Sequence, residues 1–361
     1  MTMTTTPFLP DWASPPGDTL ADLLEERSMT QTELAERLGV SLKHVNRIIK
    51  GAASISAELA LGLERVFGAS AGFWMTREAQ YQADKARLEQ RREFAGALDW
   101  ARRFPIAELR KRGHLPRTGD GPELVEQLLA FLGIAHPDQW RDPQVAYRKS
   151  QKFESDEFAL SAWLREGETQ ATEIMCAPYD EDEFLAALQD IRGLTRLSPE
   201  KWWPALQGRC AAAGVAVVVI DAYQGAKANG ATRWLAPDKA LIQLSLRYRW
   251  EDVFWFSFFH EAGHVVLHRK KDVFVELNAK DQSTDPAEQE LEREADRFAS
   301  RTLIPPPHDR RLATLTLDEV PAFARTLGIA PAIVVGRLQH DGTLPWSKGN
   351  HHRCRLKFVD S

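Results

Sequence analysis

The residues that could do chemistry lie at His260-Glu261-Ala262-Gly263-His264. On a helix, positions i and i+4 sit about 40° apart and one turn along, so both imidazoles can reach a single ion. Glu261 lies about 100° round from His260 and is poorly placed to join the same ion; it stands beside it instead. A Zn²⁺ with three protein ligands keeps one position open and brings the pKa of a water there to about 7, within reach of a neighbouring carboxylate. The expected reaction is peptide hydrolysis, with Glu261 taking the proton of the water and returning it to the leaving amine. Burying two imidazoles and a carboxylate with no ligand among them would be costly.

Such a site needs a third ligand, and Glu292 follows His264 by 28 residues, enough for the chain to leave one helix and return on another. On the returning helix Leu291, Ala295, Phe298, Ala299 and Thr302 form an inward stripe, with Glu292 and Asp296 together on one side of it. This spacing assigns Glu292 to the metal. Asp296, one turn on, would accept a hydrogen bond from the other ring nitrogen of a ligand histidine. Glu288 also falls near the inward face, whereas Glu294 falls on the opposite flank and is expected to contribute little. The stretch 278–288 is polar and reads as a surface loop between the two helices.

The elements that must position these groups follow from the apolar pattern. Asp252 to His268 is apolar on most faces and predicts a buried helix. Ahead of it, Val215 to Ile220 is a β-branched run and Leu241 to Leu246 a second, which predicts a small sheet. Leu241 to Leu246 is read as an exposed edge on which an extended substrate could pair by backbone hydrogen bonds. Residues 123–207 read as helices whose tryptophans, Trp140, Trp163, Trp202 and Trp203, are core.

Trp255-Phe256-Ser257-Phe258-Phe259 leading into HEAGHVVLH, then Glu292-Arg293-Glu294-Ala295-Asp296-Arg297-Phe298-Ala299 and Leu303-Ile304-Pro305, resembles the ImmA/IrrE metallopeptidases over about residues 205–345. The resemblance implies a zincin-like fold, limited proteolysis of a transcriptional repressor, and the same pair Glu292 and Asp296 beside the histidines.

A second motif lies near the N-terminus. Thr30-Gln31-Thr32-Glu33-Leu34-Ala35-Glu36-Arg37-Leu38-Gly39-Val40-Ser41 reads as a capped helix, a glycine turn and a second cap, with Leu34, Ala35, Leu38, Val40, Val45 and Ile48 as core. The next helix, Leu42 to Lys50, would present Lys43, His44, Asn46, Arg47 and Lys50, side chains that pair with base edges and phosphates. Thr30, Gln31, Lys43, His44, Asn46 and Arg47 are the candidate DNA contacts. Residues 17–82 resemble HigA-type antitoxins of the Cro/repressor class, down to Ser56-Ala57-Glu58-Leu59-Ala60 and Phe73-Trp74. A second stretch, Ala324 to Ala330, echoes Ala35 to Ser41, but its following helix, Pro331 to Leu338, is almost wholly apolar and reads as core.

Residues 1–93 carry 11 Lys/Arg against 13 Asp/Glu, and the whole chain of 361 residues has a net charge of −5, so any DNA contact must be confined to one face. A single module reads few base pairs, which calls for a homodimer on an operator. Three scattered cysteines, Cys176, Cys210 and Cys354, form neither a disulfide framework nor a CxxC knuckle. With no signal-like N-terminus and no bilayer-length apolar stretch, no membrane is expected and a reducing cytoplasm is the expected compartment.

The expected fold class is α+β, mostly α-helical. It comprises an N-terminal all-α helix-turn-helix domain (17–93), a helical middle region (95–204) and a C-terminal zincin-like metallopeptidase domain with a small β-sheet (205–345). The expected function is Zn²⁺-dependent regulatory proteolysis, the protein substrate being a repressor or antitoxin and the DNA partner a double-stranded operator. The rival is a HigA-like repressor or antitoxin whose metallopeptidase-like region senses a signal or binds a partner. A pure binding module has no need of Glu261, which favours the enzyme.

Overall fold

The computed structural model describes residues 10–140, 156–268, 274–277 and 286–357. Packing divides the chain into two compact units, 1–101 with 118–126, and 102–117 with 127–361.

The first unit is all-helical: α1 (Pro16–Glu26), α2 (Gln31–Leu38), α3 (Leu42–Ile49), α4 (Ala57–Phe67) and α5 (Ala71–Gly96). Its short helices begin where a hydroxyl can satisfy a free backbone N–H. The side chains of Thr30, Ser41, Ser56 and Ser70 accept from the N–H three residues on, of Glu33, His44, Leu59 and Phe73. The core gathers Leu34, Ala35, Val45 and Ile48 from α2 and α3 with Leu20, Leu63 and Trp74, while Leu38 and Val40 pack at its margin.

In the second unit α9 (Glu157–Glu173), α10 (Glu181–Leu194) and α11 (Pro199–Ala212) lead into β1 (Val215–Val219), β2 (Ala228–Ala236) and β3 (Lys239–Leu244). Earlier in the chain come α6 (Leu98–Ala101), still part of the first unit, α7 (Ile106–Lys111), α8 (Pro122–Leu132), which the division crosses after Glu126, and a 3₁₀ turn, Pro137–Gln139. The long helix α12 (Glu251–Leu267), strand β4 (Phe274–Leu277), α13 (Pro286–Leu303), α14 (Val320–Leu327) and α15 (Pro331–His340) complete the unit. The sheet runs in the order β1-β3-β2-β4, with β1 parallel to β3 and the other pairings antiparallel.

This order overturns the expected exposed edge at Leu241 to Leu246. The β3 strand is hydrogen-bonded on both sides, to β1 along Val215–Val219 and to β2 from Gly230 to Ala236, so it has no backbone left for a substrate. Its run Ala240 to Leu244 is wholly buried, the pattern of a strand covered on both faces. Gln243 donates from Nε2 to the carbonyl of Trp163 on α9 at 2.7 Å, whereas Thr232, paired with Ile242, faces α12. Successive side chains of a strand point to opposite faces, so α9 and α12 cover the two sides of the sheet. The middle helices α9 to α11 thus pack within the second unit. Trp163 and Trp202 are buried, and Trp140 and Trp203 are partly so.

At the base of α12, Arg353 from the C-terminal segment grips Asp252 with two hydrogen bonds of 2.7 and 2.8 Å, both side chains being buried. The Arg353 guanidinium also donates to Gln339 and Asn350. The echo motif has the backbone of its counterpart, with Gly328 at φ 69° after α14 and Gly39 at φ 69° after α2. Its second helix, α15, buries Ala332, Ile333, Val334, Val335 and Leu338, as its apolar sequence demands. No helix among the described residues is long and apolar enough to cross a membrane. All three cysteines are free thiols, and burial pushes the Cys210 thiol well up.

Candidate metal centre

The site is built by one helix crossing. The α12 helix is buried nearly all round, with Phe254, Trp255, Phe258, Phe259 and Ala262 in the main core. The α13 helix presents Ala295, Ala299 and Leu303 at fourfold spacing. The two helices pack tightly at Gly263, where an added Cβ would meet the Ala295 Cα and Phe298 Cβ at 3.2 Å. Glycine inside the HEAGH run therefore lets α13 lie close enough for its carboxylates to reach the α12 histidines.

At this crossing the His260 and His264 Nε2 atoms lie 3.1 Å apart. The Glu292 oxygens lie 3.3 Å from His260 Nε2 and 3.8 Å from His264 Nε2. Among the described residues these three form the cluster able to hold an ion. Tetrahedral zinc with bonds of about 2.0–2.1 Å separates its ligand atoms by about 3.3–3.5 Å, and the three spacings bracket that range. Two neutral ring nitrogens and a carboxylate are a standard zinc donor set. The residues present therefore fit the ion. Burial, and after it the neighbouring rings of His260 and His264's own successor His268, hold the His264 imidazole well below its ordinary pKa, in the neutral form that ligation requires.

Around these three stand further polar groups. Asp296 Oδ1 lies 2.9 Å from His260 Nδ1, the contact expected from the i, i+4 spacing with Glu292. Glu261 is fully buried, and its Oε2 accepts from the Thr232 hydroxyl at 2.6 Å while the same hydroxyl also contacts the Glu261 carbonyl at 3.1 Å. A Cβ at residue 230 would come 2.4 Å from Glu261 Oε1, so Gly230 makes the room that the carboxylate occupies. On the far side, His264 Nδ1 lies 2.8 Å from His268 Nδ1, and His268 Nε2 lies 3.2 Å from Glu294. Phe274 of β4 stacks on the His264 ring, the centroids 4.1 Å apart.

Glu294, expected to contribute little, makes a contact of its own. It lies off the inward stripe, yet its side chain reaches the end of α12 because His268 stands one turn beyond His264. The sequence carried the signal in the three histidines at 260, 264 and 268, all on one helical line. Two residues that hold Glu261, Gly230 and Thr232, lay in a stretch that no sequence pattern had marked as a strand. The polar loop expected over 278–288 lies outside the described residues as far as 285, and α13 already begins at Pro286.

Beside the centre a cleft of about 480 Å³ opens between α12, α13 and α15, with Asp296 in its wall. Phe256, Leu303, Ile304 and Ile333 give it an apolar lining, and Trp346 stands exposed at its rim.

Comparison with known proteins adds a family relation to this geometry. Residues 240–335 match the peptidase family described as the IrrE N-terminal-like domain, and residues 20–74 match the helix-turn-helix family. An IrrE-like domain follows a helix-turn-helix domain. The IrrE-like match holds all three clustered residues, while Gly230 and Thr232 precede it. No curated protein matches the chain. Among solved structures, the Pseudomonas aeruginosa antitoxin HigA with the higBA promoter is 32% identical, over 23% of this chain and 90% of that one, with a TM-score of 0.22. Another Pseudomonas aeruginosa protein, solved in complex with its operator DNA, is 37% identical over 21% of this chain and 84% of its own, with a TM-score of 0.20. An addiction module antidote protein of the HigA family from Coxiella burnetii is 29% identical over 22% and 89%, with a TM-score of 0.21.

In the helix-turn-helix domain, Lys43 and Arg47 are exposed on α3, and the Arg47 guanidinium donates to the Ala52 carbonyl at 3.0 Å. Gln31 and Asn46 are joined between α2 and α3 at 3.4 Å, His44 is half-buried, and Thr30 serves as the cap of α2. The six candidate contacts thus lie on α3 and at the start of α2.

Proposed function

We propose that this chain is a zinc-dependent endopeptidase that performs regulatory proteolysis of a transcriptional repressor or antitoxin, with the helix-turn-helix domain binding an operator. The observation that carries the reading is the convergence of His260, His264 and Glu292 beside the buried carboxylate of Glu261. When bound there, Zn²⁺ supplies Lewis-acid polarisation of a substrate carbonyl and lowers the pKa of a water.

The chain's own groups do the rest. Glu261 is the proton carrier: it accepts the proton of the attacking water and delivers it to the departing amine. The Thr232 hydroxyl anchors one oxygen of that carboxylate and so fixes its aim. Asp296 accepts from His260 Nδ1–H, which turns the bare Nε2 toward the other ligands. Burial of the two ligand rings and of Glu261 excludes bulk water and strengthens these interactions. The apolar cleft at Asp296 gives an extended peptide a place for a side chain next to the cluster.

On the DNA side, Lys43 and Arg47 supply exposed cations on α3, and the joined Gln31 and Asn46 present amides at the α2–α3 junction. Two copies on a symmetric operator would give the contact area that a single module lacks.

The test is direct. The purified full chain should hold about one Zn²⁺, and incubation with the products of neighbouring genes should yield fragments whose sequence gives the cleaved bond. Glu261→Gln should keep the metal and stop cleavage. Absence of metal from the chain, or undiminished cleavage by that variant, would refute the assignment.

A further inference from the structure

His268 has no part in the chemistry above, yet its side chain is buried, 2% exposed, and both of its ring nitrogens are engaged. An ionised carboxylate only accepts hydrogen bonds, so a neutral His268 must donate from Nε2 to Glu294. Its Nδ1 is then bare and can only accept. The atom facing it, 2.8 Å away, is His264 Nδ1, which must be the donor. That leaves His264 Nε2 bare and pointing at Glu292 and His260 Nε2. Asp296 forces the same result on His260 from the other side.

We infer that His268 and Glu294 form a positioning relay that fixes the tautomer and orientation of His264, so that both metal-facing nitrogens carry lone pairs before any ion arrives. This rests on the reading of His260, His264 and Glu292 as a zinc site. The two histidines are served differently. His260 is held directly by Asp296, a half-exposed carboxylate. His264 is held through a second imidazole, which carries the influence of Glu294 from the surface to a ring with 0% exposure.

Local geometry fixes the relay in place. His268 is the first residue past α12, its N–H bonded to the His264 carbonyl at 3.3 Å, and its backbone turns extended there at φ −113° and ψ 167°. Phe274 lies against both rings, at 4.1 Å from the His264 centroid and 5.1 Å from that of His268.

The relay makes a distinction that simple packing does not. Asn places Oδ1 at the same distance from Cβ as the histidine Nδ1, so His268→Asn keeps an acceptor for His264 Nδ1–H. His268→Leu fills the space and offers none. Zinc affinity of the full chain, measured by competition with a chromophoric chelator, should fall about 10 to 100-fold in His268→Leu and stay within about threefold of wild type in His268→Asn. Glu294→Leu, at a half-exposed position where folding is not at stake, should lie between them. The visible absorption of the Co²⁺-loaded chain should change in His268→Leu and Glu294→Leu and stay close to wild type in His268→Asn. Equal affinities for the Leu and Asn variants, whether both high or both low, or a Glu294→Leu variant with wild-type affinity and spectrum, would overturn the relay. If wild type binds neither Zn²⁺ nor Co²⁺, the zinc reading itself fails and the relay with it. A wild type that binds while the variants do not differ defeats the relay alone.

Discussion

Removing Asp296 tests the aim of His260 quantitatively. The Asp296 carboxylate lies 2.9 Å from His260 Nδ1, but its side chain is 51% exposed and lines the open cleft. In Asp296→Ala a water from the cleft can take over the hydrogen bond, though without the charge or the fixed direction. Loss of such a partner costs about 10 to 100-fold in metal affinity, and access of water places this case near tenfold, about 1.4 kcal/mol. Asp296→Asn retains an oxygen that can accept and should lose about threefold or less. Glu292→Ala removes a ligand atom and should weaken binding more than either. The expected order of zinc affinity, read by chelator competition at fixed pH, is wild type, Asp296→Asn, Asp296→Ala, Glu292→Ala. An Asn variant as weak as the Ala variant would show that charge rather than hydrogen-bond direction matters. An Asp296→Ala variant equal to wild type would refute the role outright.

Further outcomes follow from other parts of the fold. Gly230→Ala drives a methyl into the Glu261 carboxylate, and should cut cleavage by about 100-fold or more while zinc content stays near one per chain; retained cleavage would show that Glu261 works from another position. Arg353→Met strands the buried Asp252 carboxylate and should cost about 3–5 kcal/mol in denaturant unfolding, much of it recovered by Asp252→Asn in the same chain. Burial raises the Asp252 pKa even with Arg353 present, so the folded state binds its proton more tightly than the unfolded one. The contribution of this group to stability therefore falls as pH rises from its unfolded value through the raised folded value. Loss of Arg353 should widen that window upward, so the variant's deficit should shrink on acidification; a deficit that grows in acid would contradict the sign. Lys43→Ala and Arg47→Ala should each weaken operator binding by about tenfold and leave zinc content unchanged, as gel shifts and elemental analysis would report. DNA binding equal to wild type in both would turn α3 into a protein-docking surface.

The cluster of His260, His264 and Glu292 was legible because helical periodicity is local. His260 and His264 are placed by a four-residue spacing, and Glu292 and Asp296 by the phase of an amphipathic helix. The helix-turn-helix was readable for the same reason, its caps and glycine turn lying within a dozen residues. What the sequence hid depends on pairing between distant segments. The β2 strand, ANGATRWLA, looks like a loop by composition, and only its partners β3 and β4 make it a strand. The position of β3 inside the sheet follows from β1, some 25 residues earlier, although its unbroken apolar run was a hint of burial on both faces. The contact of Glu294 was hidden because its partner, His268, lies past the end of the neighbouring helix, away from the core stripe that sets the helical phase.

The residues that hold Glu261 lie upstream of the stretch by which this domain is recognised. That stretch starts at residue 240, whereas Gly230 and Thr232 belong to the strand before it. A related chain could therefore keep every histidine and carboxylate of the cluster and still hold Glu261 differently, through a bulky residue at the one position or a missing hydroxyl at the other. On the proposed reading, such a chain would keep the donor cluster and be recognised as kin, yet lack the carboxylate placement that hydrolysis requires. Reading two positions on an otherwise unmarked strand would tell the two kinds of descendant apart.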